Sequence, residues 1–153
     1  MTINLKKVSI SNITAGKNVT IIEPSNIYEC IIEDDVFIGP FVEIQKGVVI
    51  GRGTRIHSHS FICELVSIGE FCTIAHGVMF INDLYSKGVP ARGDKKKWVK
   101  TTIGKRVSIG SNATILPVEI CDDVVIGAGA VVTKNISVSG VYIGNPARLL
   151  KQL

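Results

Sequence analysis

The sequence predicts an all-β protein built as a stack of three-sided coils, because isoleucine returns every six residues. The register holds eight isoleucines and one phenylalanine: Ile32, Ile38, Ile44, Ile50, Ile56, Ile62, Ile68, Ile74 and Phe80. Four residues after each of the first eight comes a small or β-branched residue: Val36, Val42, Val48, Thr54, Ser60, Val66, Cys72 and Val78. Neither a helix nor a simple alternating strand repeats every six residues, so we predict short strands separated by bends.

The first and fifth residues of each hexad are expected to point into one interior, as strand geometry requires of side chains that lie an even number of residues apart. Three hexads would close one triangular coil, and successive coils would lie about 4.8 Å apart, the spacing of neighbouring strands. Glycine often follows the inward isoleucine: Gly39, Gly51, Gly69, Gly104, Gly110 and Gly127. We expect these glycines to supply unusual backbone angles at the bends.

One long interruption divides the hexads into two blocks. After Phe80 the register requires its next member at position 86, but the pattern resumes only at Ile103. A segment almost as long as a whole coil must therefore leave the stack, and we predict one external loop at about residues 81–101. Loops of this length without secondary structure are usually functional or disordered.

The hexads are less regular near the two ends of the chain. Before Ile32 the pattern is loose, and one or two imperfect coils are indicated by Val19, Ile21 and Ile27. The hexad that begins at Ile115 is one residue short, and a corner shortened after Pro117 would direct Glu119 outward.

Composition indicates one soluble domain, residues 1–153. Hydrophobic residues make up 46% of the chain and its mean hydropathy is +0.35, but no apolar run approaches the length that spans a bilayer. The first residues, MTINLKKVSISN, lack the apolar core of a signal peptide, so we expect a cytoplasmic protein without membrane contact. The four cysteines contain no C-x-x-C pair, and we interpret them as free packing residues rather than nucleophiles.

The densest charge in the sequence is DKKKWVK, residues 94–100, in a chain of net charge +4. Runs of charge are usually solvated surface, and this interpretation is favoured here. Binding to the phosphates of a nucleotide ligand is the second interpretation. Nucleic-acid binding is the third, and we do not expect it because no paired aromatic platform or known module accompanies the lysines.

The hexads, the stretch IGAGAVVTK and the ending IGNPAR resemble the hexapeptide-repeat acyltransferases across residues 32–80 and 102–153. The resemblance implies a left-handed parallel β-helix with a short C-terminal tail, a homotrimer and acetyl-CoA as the acyl donor. Handedness comes from the resemblance alone, since parallel crossovers are otherwise right-handed. It also implies that the external loop reaches a neighbouring subunit and helps to enclose the active site.

The segment HGVMFIND, residues 76–83, is similar to enzymes that N-acetylate a nucleotide-linked 3-amino-3-deoxy sugar, a precursor of surface polysaccharides such as O-antigen. The related O-acetylating enzymes carry a catalytic histidine close to the start of this loop, in a Gly-His-Pro setting, whereas the corresponding stretch of this chain, residues 81–84, contains no histidine. A hydroxyl needs a strong general base, whereas a sugar amine with a pKa of about 8 is partly neutral already. The resemblance therefore implies that Asn82 and Asp83 orient the amine. His76 or His59 could assist as a base, with His76 stacked one coil beyond Ser58.

The resembling enzymes hold acetyl-CoA in the groove between two β-helices. The matching positions are Ser111, Ala128, Thr133, Lys134, Arg148 and Lys151. Two alternatives stay open: an O-acetyltransferase for a small hydroxyl acceptor, and a non-catalytic or metal-binding β-helix. The γ-type carbonic anhydrases share this fold and bind metal through a His-x4-His pair, which this sequence lacks, so we expect no metal.

Overall fold

The computed structural model describes residues 9–153, which wind into a left-handed parallel β-helix of about seven coils. The sequence prediction that the protein has no signal peptide rests on residues 1–12, and residues 1–8 of that segment lie outside the described residues. The strands β1 to β21 run in chain order: Ile10–Ser11, Thr14–Ala15, Thr20–Ile21, Asn26–Tyr28, Ile31–Ile32, Phe37–Ile38, Glu43–Ile44, Val49–Ile50, Arg55–Ile56, Phe61–Ile62, Val66–Ile68, Thr73–Ile74, Met79–Phe80, Thr101–Ile103, Ser108–Ile109, Thr114–Ile115, Glu119–Ile120, Val124–Ile126, Val131–Val132, Gly140–Ile143 and Arg148–Lys151. One 3-10 helix, Lys95–Lys97, lies between β13 and β14.

The strands form three sheets, and a complete coil in the middle of the stack contributes one strand to each sheet. Sheet A contains β1, β4, β7, β10, β13, β16 and β19; sheet B contains β2, β5, β8, β11, β14 and β17; sheet C contains β3, β6, β9, β12, β15, β18, β20 and β21. In the middle of the stack a coil is three full hexads long, since Ile44 lies opposite Ile62. Nearer the ends the coils are one residue shorter, since Ile27 lies opposite Ile44 and Ile103 opposite Ile120.

Two of the three edges of this prism flank sheet A. The A/B edge, which follows sheet A, comprises residues 12–13, 29–30, 45–48, 63–65, 81–100, 116–118 and 133–135. The C/A edge, which precedes sheet A, comprises residues 22–25, 39–42, 57–60, 75–78, 110–113 and 127–130. The remaining B/C edge faces away from sheet A.

The interior is the column of side chains that the hexads predict. All nine residues of the isoleucine register are at most 1% exposed, and all eight of the second series are at most 2% exposed. Glu119 is exposed and Val118 takes the buried position before it, which confirms the shortened corner. Of the residues that indicated imperfect coils, Ile27 is fully buried and Ile21 is half-buried.

The glycines after the inward isoleucines are explained by close packing between coils. A Cβ on Gly51 would lie 2.5 Å from the carbonyl carbon of Gly69, and one on Gly69 would lie 2.5 Å from the carbonyl oxygen of Gly104. These glycines do not have positive φ, so the expectation of unusual backbone angles there is wrong. Left-handed angles occur two residues later and often at larger side chains, as at Phe41 and His59.

The long insertion and the C-terminus complete the fold. Residues 81–100 leave between β13 and β14, and Ile103 returns to the register opposite Ile68, which confirms the insertion and its length. Thr101 is already the first residue of β14. The expected tail is a strand, β21, which runs antiparallel to β20 at the end of sheet C. In the part of the chain that the structure describes, no helix is long and apolar enough to cross a bilayer.

Candidate active site

The residues singled out from the sequence lie mainly on two parallel edges, one on each side of sheet A. The A/B edge carries Asn82, Asp83, Thr133 and Lys134. The C/A edge carries His59, His76, Ser111 and Ala128. Arg148 and Lys151 are the first and last residues of β21. Because the strands of sheet A separate the two edges, one chain does not bring the two groups together.

The external loop is held against the A/B edge at both of its ends. The Asn82 side-chain amide donates to the carbonyl oxygen of Glu64 at 3.1 Å. On the return path, the Val99 N–H donates to the carbonyl oxygen of Asn82 at 2.9 Å, and the Thr101 N–H donates to that of Leu65 at 3.0 Å. The loop therefore leaves and rejoins the coil side by side.

Asp83 organises the first half of the loop. Its Oδ1 accepts the Tyr85 N–H at 3.0 Å, and its Oδ2 accepts the Ala91 N–H at 2.7 Å. These two bonds close residues 83–91 into a compact turn. Each carboxylate oxygen keeps a further lone pair, so Asp83 can still accept a hydrogen bond from a ligand.

An ion pair fixes the second half of the loop. The Lys95 ammonium lies 2.8 and 2.6 Å from the two carboxylate oxygens of Glu64. The same ammonium lies 5.6 Å from the centre of the Trp98 ring, within the range of a cation–π contact. Glu64 thus holds both halves of the loop, one through its carbonyl and the other through its carboxylate.

The loop and the A/B edge together line an open cavity of about 350 Å³, within the usual range for small-molecule sites. Its lining combines aromatic rings with amide and carboxylate groups: Gln45, Phe61, Cys63, Phe80, Ile81, Asn82, Asp83, Tyr85 and Trp98. Apolar faces with a few polar groups suit a sugar ring. Sequence reasoning missed Gln45, although it precedes Cys63 by three full hexads and its place on this edge follows from the coil period.

Cys63 lines this cavity as a packing residue and not as a nucleophile. The thiol is buried, and burial raises its pKa to about 12. Because the thiolate is the nucleophilic form of cysteine, the thiol is unreactive at neutral pH.

The histidines of the C/A edge form a short stack, as the coil register predicts. Ser58 Oγ lies 2.9 Å from His76 Nδ1, and the rings of His57 and His76 are 5.0 Å apart between centroids. Burial lowers the pKa of His57, and electrostatic interactions with the neighbouring His76 and Arg55 lower it further. In residues 9–153, no three His, Cys, Asp or Glu side chains are grouped as a metal site would require.

The remaining predicted residues of the C/A edge extend this stack in both directions. His59 stacks on Phe41, with ring centroids 4.9 Å apart and an interplanar angle of 9°. Ser111 and Ala128 follow on the next two coils, where the Gly129 N–H donates to the Ser111 carbonyl oxygen at 2.8 Å. Along the C/A edge, in chain order, the coils with histidines are therefore followed by coils with small residues.

A second cavity, of about 220 Å³, lies at the C-terminal end of the β-helix. Three of the residues predicted to bind a cofactor line it together: Thr133, Lys134 and Arg148. Lys151 lies opposite Val141 on β20, outside this cavity. Thr133 follows the seventh strand of sheet A and the loop follows the fifth, so two coil spacings, about 10 Å along the axis, separate the two cavities.

Comparisons with known proteins match both halves of the chain to hexapeptide-repeat families. Residues 29–64 match the family described as bacterial transferase hexapeptide (six repeats). Residues 100–134 match the hexapeptide repeat of succinyl-transferase. Bifunctional protein GlmU of Streptococcus uberis is 31% identical over 144 residues, which cover 90% of this chain and 31% of the relative. The chain thus spans about a third of the length of the curated relatives it matches.

Two solved structures are similar over nearly the whole chain. One is a mutant of AntD, an N-acyltransferase from Bacillus cereus, in complex with dTDP and coenzyme A. Its TM-score is 0.79 at 25% identity, covering 91% of this chain and 83% of that chain. The other is the polysialic acid O-acetyltransferase OatWY, with a TM-score of 0.71 at 26% identity, covering 97% of this chain and 83% of that chain.

Proposed function

Because the chain belongs to the hexapeptide-repeat acyltransferase family, we propose that it transfers acetyl from acetyl-CoA to the amine of a nucleotide-linked 3-amino-3-deoxy sugar. The observation that supports an amine acceptor is the lining of the cavity under the loop: among the described residues it offers two amides, a carboxylate, a phenol and an indole but no histidine, so a histidine base could come only from another copy. The likeness to AntD, solved with dTDP and coenzyme A, supports both the donor and the nucleotide. In this proposal the product is a precursor of surface polysaccharides and the reaction takes place in the cytoplasm.

The donor is assigned to the A/B edge. Lys134 and Arg148 would bind the phosphates of acetyl-CoA, and Thr133 would donate to them. Cations and hydroxyl groups in a cavity match the charge and acceptor oxygens of phosphate. The two cavities are about 10 Å apart along the axis, so the pantetheine arm of the donor would have to span two coils to bring the acetyl group to the cavity under the loop.

The acceptor amine can react with little help from the protein. With a pKa of about 8, a useful fraction of a sugar amine is neutral at physiological pH. Its nitrogen attacks the thioester carbonyl, the C–N bond forms, the C–S bond breaks, and the departing thiolate takes the proton from nitrogen. Asn82 and Asp83 orient the amine, and a backbone N–H stabilises the tetrahedral oxyanion.

We further propose that the site is completed by a neighbouring copy in a homotrimer. The A/B edge of one chain would face the C/A edge of the next, which supplies His76, His59, Ser111 and Ala128. The support is geometric, since sheet A separates these groups within one chain. His76, hydrogen-bonded to Ser58, would then be an assisting base rather than an essential one.

O-acetylation is the second candidate, favoured by one observation. A hydroxyl acceptor needs a general base, and the imidazole of His76, paired with Ser58, is such a group if a neighbouring chain presents it to the loop cavity. The likeness to OatWY supports this alternative.

One assay separates the candidates. Acetyl-CoA consumption is measured against dTDP- and UDP-linked 3-amino and 4-amino sugars, each beside the same nucleotide sugar with a hydroxyl at that carbon. We expect turnover with a 3-amino sugar and none with its hydroxyl partner. Turnover confined to hydroxyl sugars would favour O-acetylation, and failure of coenzyme A to raise the melting temperature would contradict both candidates.

A further inference from the structure

The loop at residues 81–100 carries the whole net charge of the protein. It contains six basic and two acidic residues, a net charge of +4, which equals the net charge of the entire chain. The rest of the chain therefore has no net charge. A charge run is usually solvated surface, but this one is concentrated in the segment that covers the cavity.

Only some of the loop cations are neutralised within the chain. Lys95 pairs with Glu64 at 2.6 Å, and Lys97 lies 3.4 Å from Asp94. Over the whole of residues 9–153, no ion pair is formed by the other four: Lys87, Arg92, Lys96 and Lys100. All four are exposed, so an anionic ligand can reach them.

Arg92 is held next to Asp83 by backbone hydrogen bonds. It directly follows Ala91, whose N–H is bound by the Asp83 carboxylate at 2.7 Å. The Asp94 N–H donates back to the Ala91 carbonyl oxygen at 3.1 Å, closing a tight turn in which Arg92 has a φ of 52°. The backbone of Arg92 is therefore fixed beside Asp83, which lines the cavity.

Lys100 is held next to Asn82 in the same way. It lies between Val99, whose N–H bonds to the Asn82 carbonyl, and Thr101, whose N–H bonds to the Leu65 carbonyl. Arg92 and Lys100 thus start from backbone positions beside the two polar residues at the loop entrance. In residues 9–153, the chain neighbours of Lys87 and Lys96 form no hydrogen bond to Asn82 or Asp83.

We propose that Arg92 and Lys100 bind the diphosphate of the acceptor while its sugar occupies the cavity under the loop. This inference rests on the proposed function and adds the residues that recognise the nucleotide-linked class of acceptor. A guanidinium presents paired N–H donors that match phosphate oxygens, and an ammonium adds a compact charge. The C-terminal cavity with Lys134 and Arg148 remains for the phosphates of the donor.

The test measures binding without catalysis. Affinities for dTDP, UDP and coenzyme A are determined by calorimetry on the intact protein and on Arg92→Gln, Lys100→Gln and the double variant. We expect each single change to weaken nucleoside diphosphate binding about tenfold and to leave coenzyme A affinity unchanged. The affinity of the unaltered protein for the nucleotide should fall with ionic strength. Lys17→Gln removes an exposed cation on the B/C edge and is the matched control.

Three outcomes would overturn the inference. Unchanged nucleotide affinity in the double variant would remove both residues from the site. Loss of coenzyme A affinity instead would assign the loop to the donor. An intact protein that binds no nucleoside diphosphate, yet acetylates free amino sugars, would refute the diphosphate site and leave acyl transfer standing. Conversely, loss of nucleotide binding in the variants upholds the inference even if no amine is acetylated, in which case only the proposed reaction fails.

Discussion

At the residue scale, the interior accepts hydroxyl groups where backbone partners are available. Thr54 Oγ1 donates to the Gly69 carbonyl oxygen at 2.9 Å and accepts the Cys72 N–H at 3.0 Å. Thr101, where the loop rejoins the coil, is 1% exposed, and its Oγ1 has no hydrogen-bond partner among the described residues. A buried hydroxyl without a partner loses its hydration and gains nothing in exchange.

Thr101→Val should therefore leave the free energy of unfolding unchanged or raise it. Thr54→Val should lower it by about 1–3 kcal/mol, because the Cys72 N–H would be buried without an acceptor. Urea denaturation of both variants measures the difference. Equal destabilisation by the two changes would show that Thr101 has a partner after all.

Lys134→Ala and Arg148→Ala should each raise the Michaelis constant for acetyl-CoA by about tenfold with little change in turnover. Both side chains line the C-terminal cavity, and contacts to remote phosphates contribute equally to binding the substrate and the transition state. The sequence placed Lys151 in the same role, but that residue lies outside the cavity, so Lys151→Ala should have the smaller effect. Steady-state kinetics would contradict the assignment if Lys151 mattered most.

At the scale of the structural elements, each short strand has one buried and one outward face. Strand β5 shows this with two neighbouring isoleucines, since Ile32 is 1% exposed and Ile31 is 48% exposed. The stack is continuous, so a defect in one coil exposes the surfaces of the coils on either side.

Ile32→Asp should prevent folding, because a carboxylate in the dry column has no partner and its burial costs several kcal/mol. Ile31→Asp should fold, since its side chain is half solvated in the same strand. Circular dichroism and size exclusion compare the two proteins. If both fold or both fail, the inward register of β5 is incorrect.

Variants at the loop entrance test whether the acceptor is an amine, as proposed, or a hydroxyl. Asp83→Asn should lower turnover without changing acetyl-CoA affinity, because it removes charge-assisted hydrogen bonds to the substrate and to the loop. The neutral amine is the reactive form, so the rate should rise with pH through about 8 in the unaltered enzyme and in His76→Ala. A pH profile in which His76→Ala is inactive throughout while Asp83→Asn is normal would support a histidine base.

The sequence was informative where the molecule is periodic. Each inward side chain repeats at a fixed interval, so the coils, the core and the position of the loop follow from the hexads. The contact between Glu64 and Lys95 joins two residues far apart in the chain through a segment without a period, and no pattern predicts it. The glycines were found correctly but for the wrong reason, because close approach between Gly51 and Gly69 appears only once the coils are stacked.

At the scale of the whole molecule, the separation of the two edges is the basis of the proposed site shared between copies. Asp83 and Ala128 lie on opposite sides of sheet A, and no rearrangement within a rigid stack of coils can bring them together. In a closed ring of three copies, the same two surfaces meet three times through one repeated contact. Light scattering at micromolar concentration should therefore report three chains, and a stable, active monomer would contradict the shared site.

The most direct test of the shared site mixes two inactive variants. Asp83→Ala damages the A/B edge, and Ala128→Tyr obstructs the C/A edge; each homotrimer should fold and be inactive. If every site uses one edge from each of two chains, random mixed trimers from co-expression should recover about a quarter of the sites with both edges unaltered. Acetyl-CoA consumption by the mixed trimers measures this. Recovery near that fraction is the predicted result, whereas no recovery in mixed trimers of confirmed composition would show that each site lies within one chain.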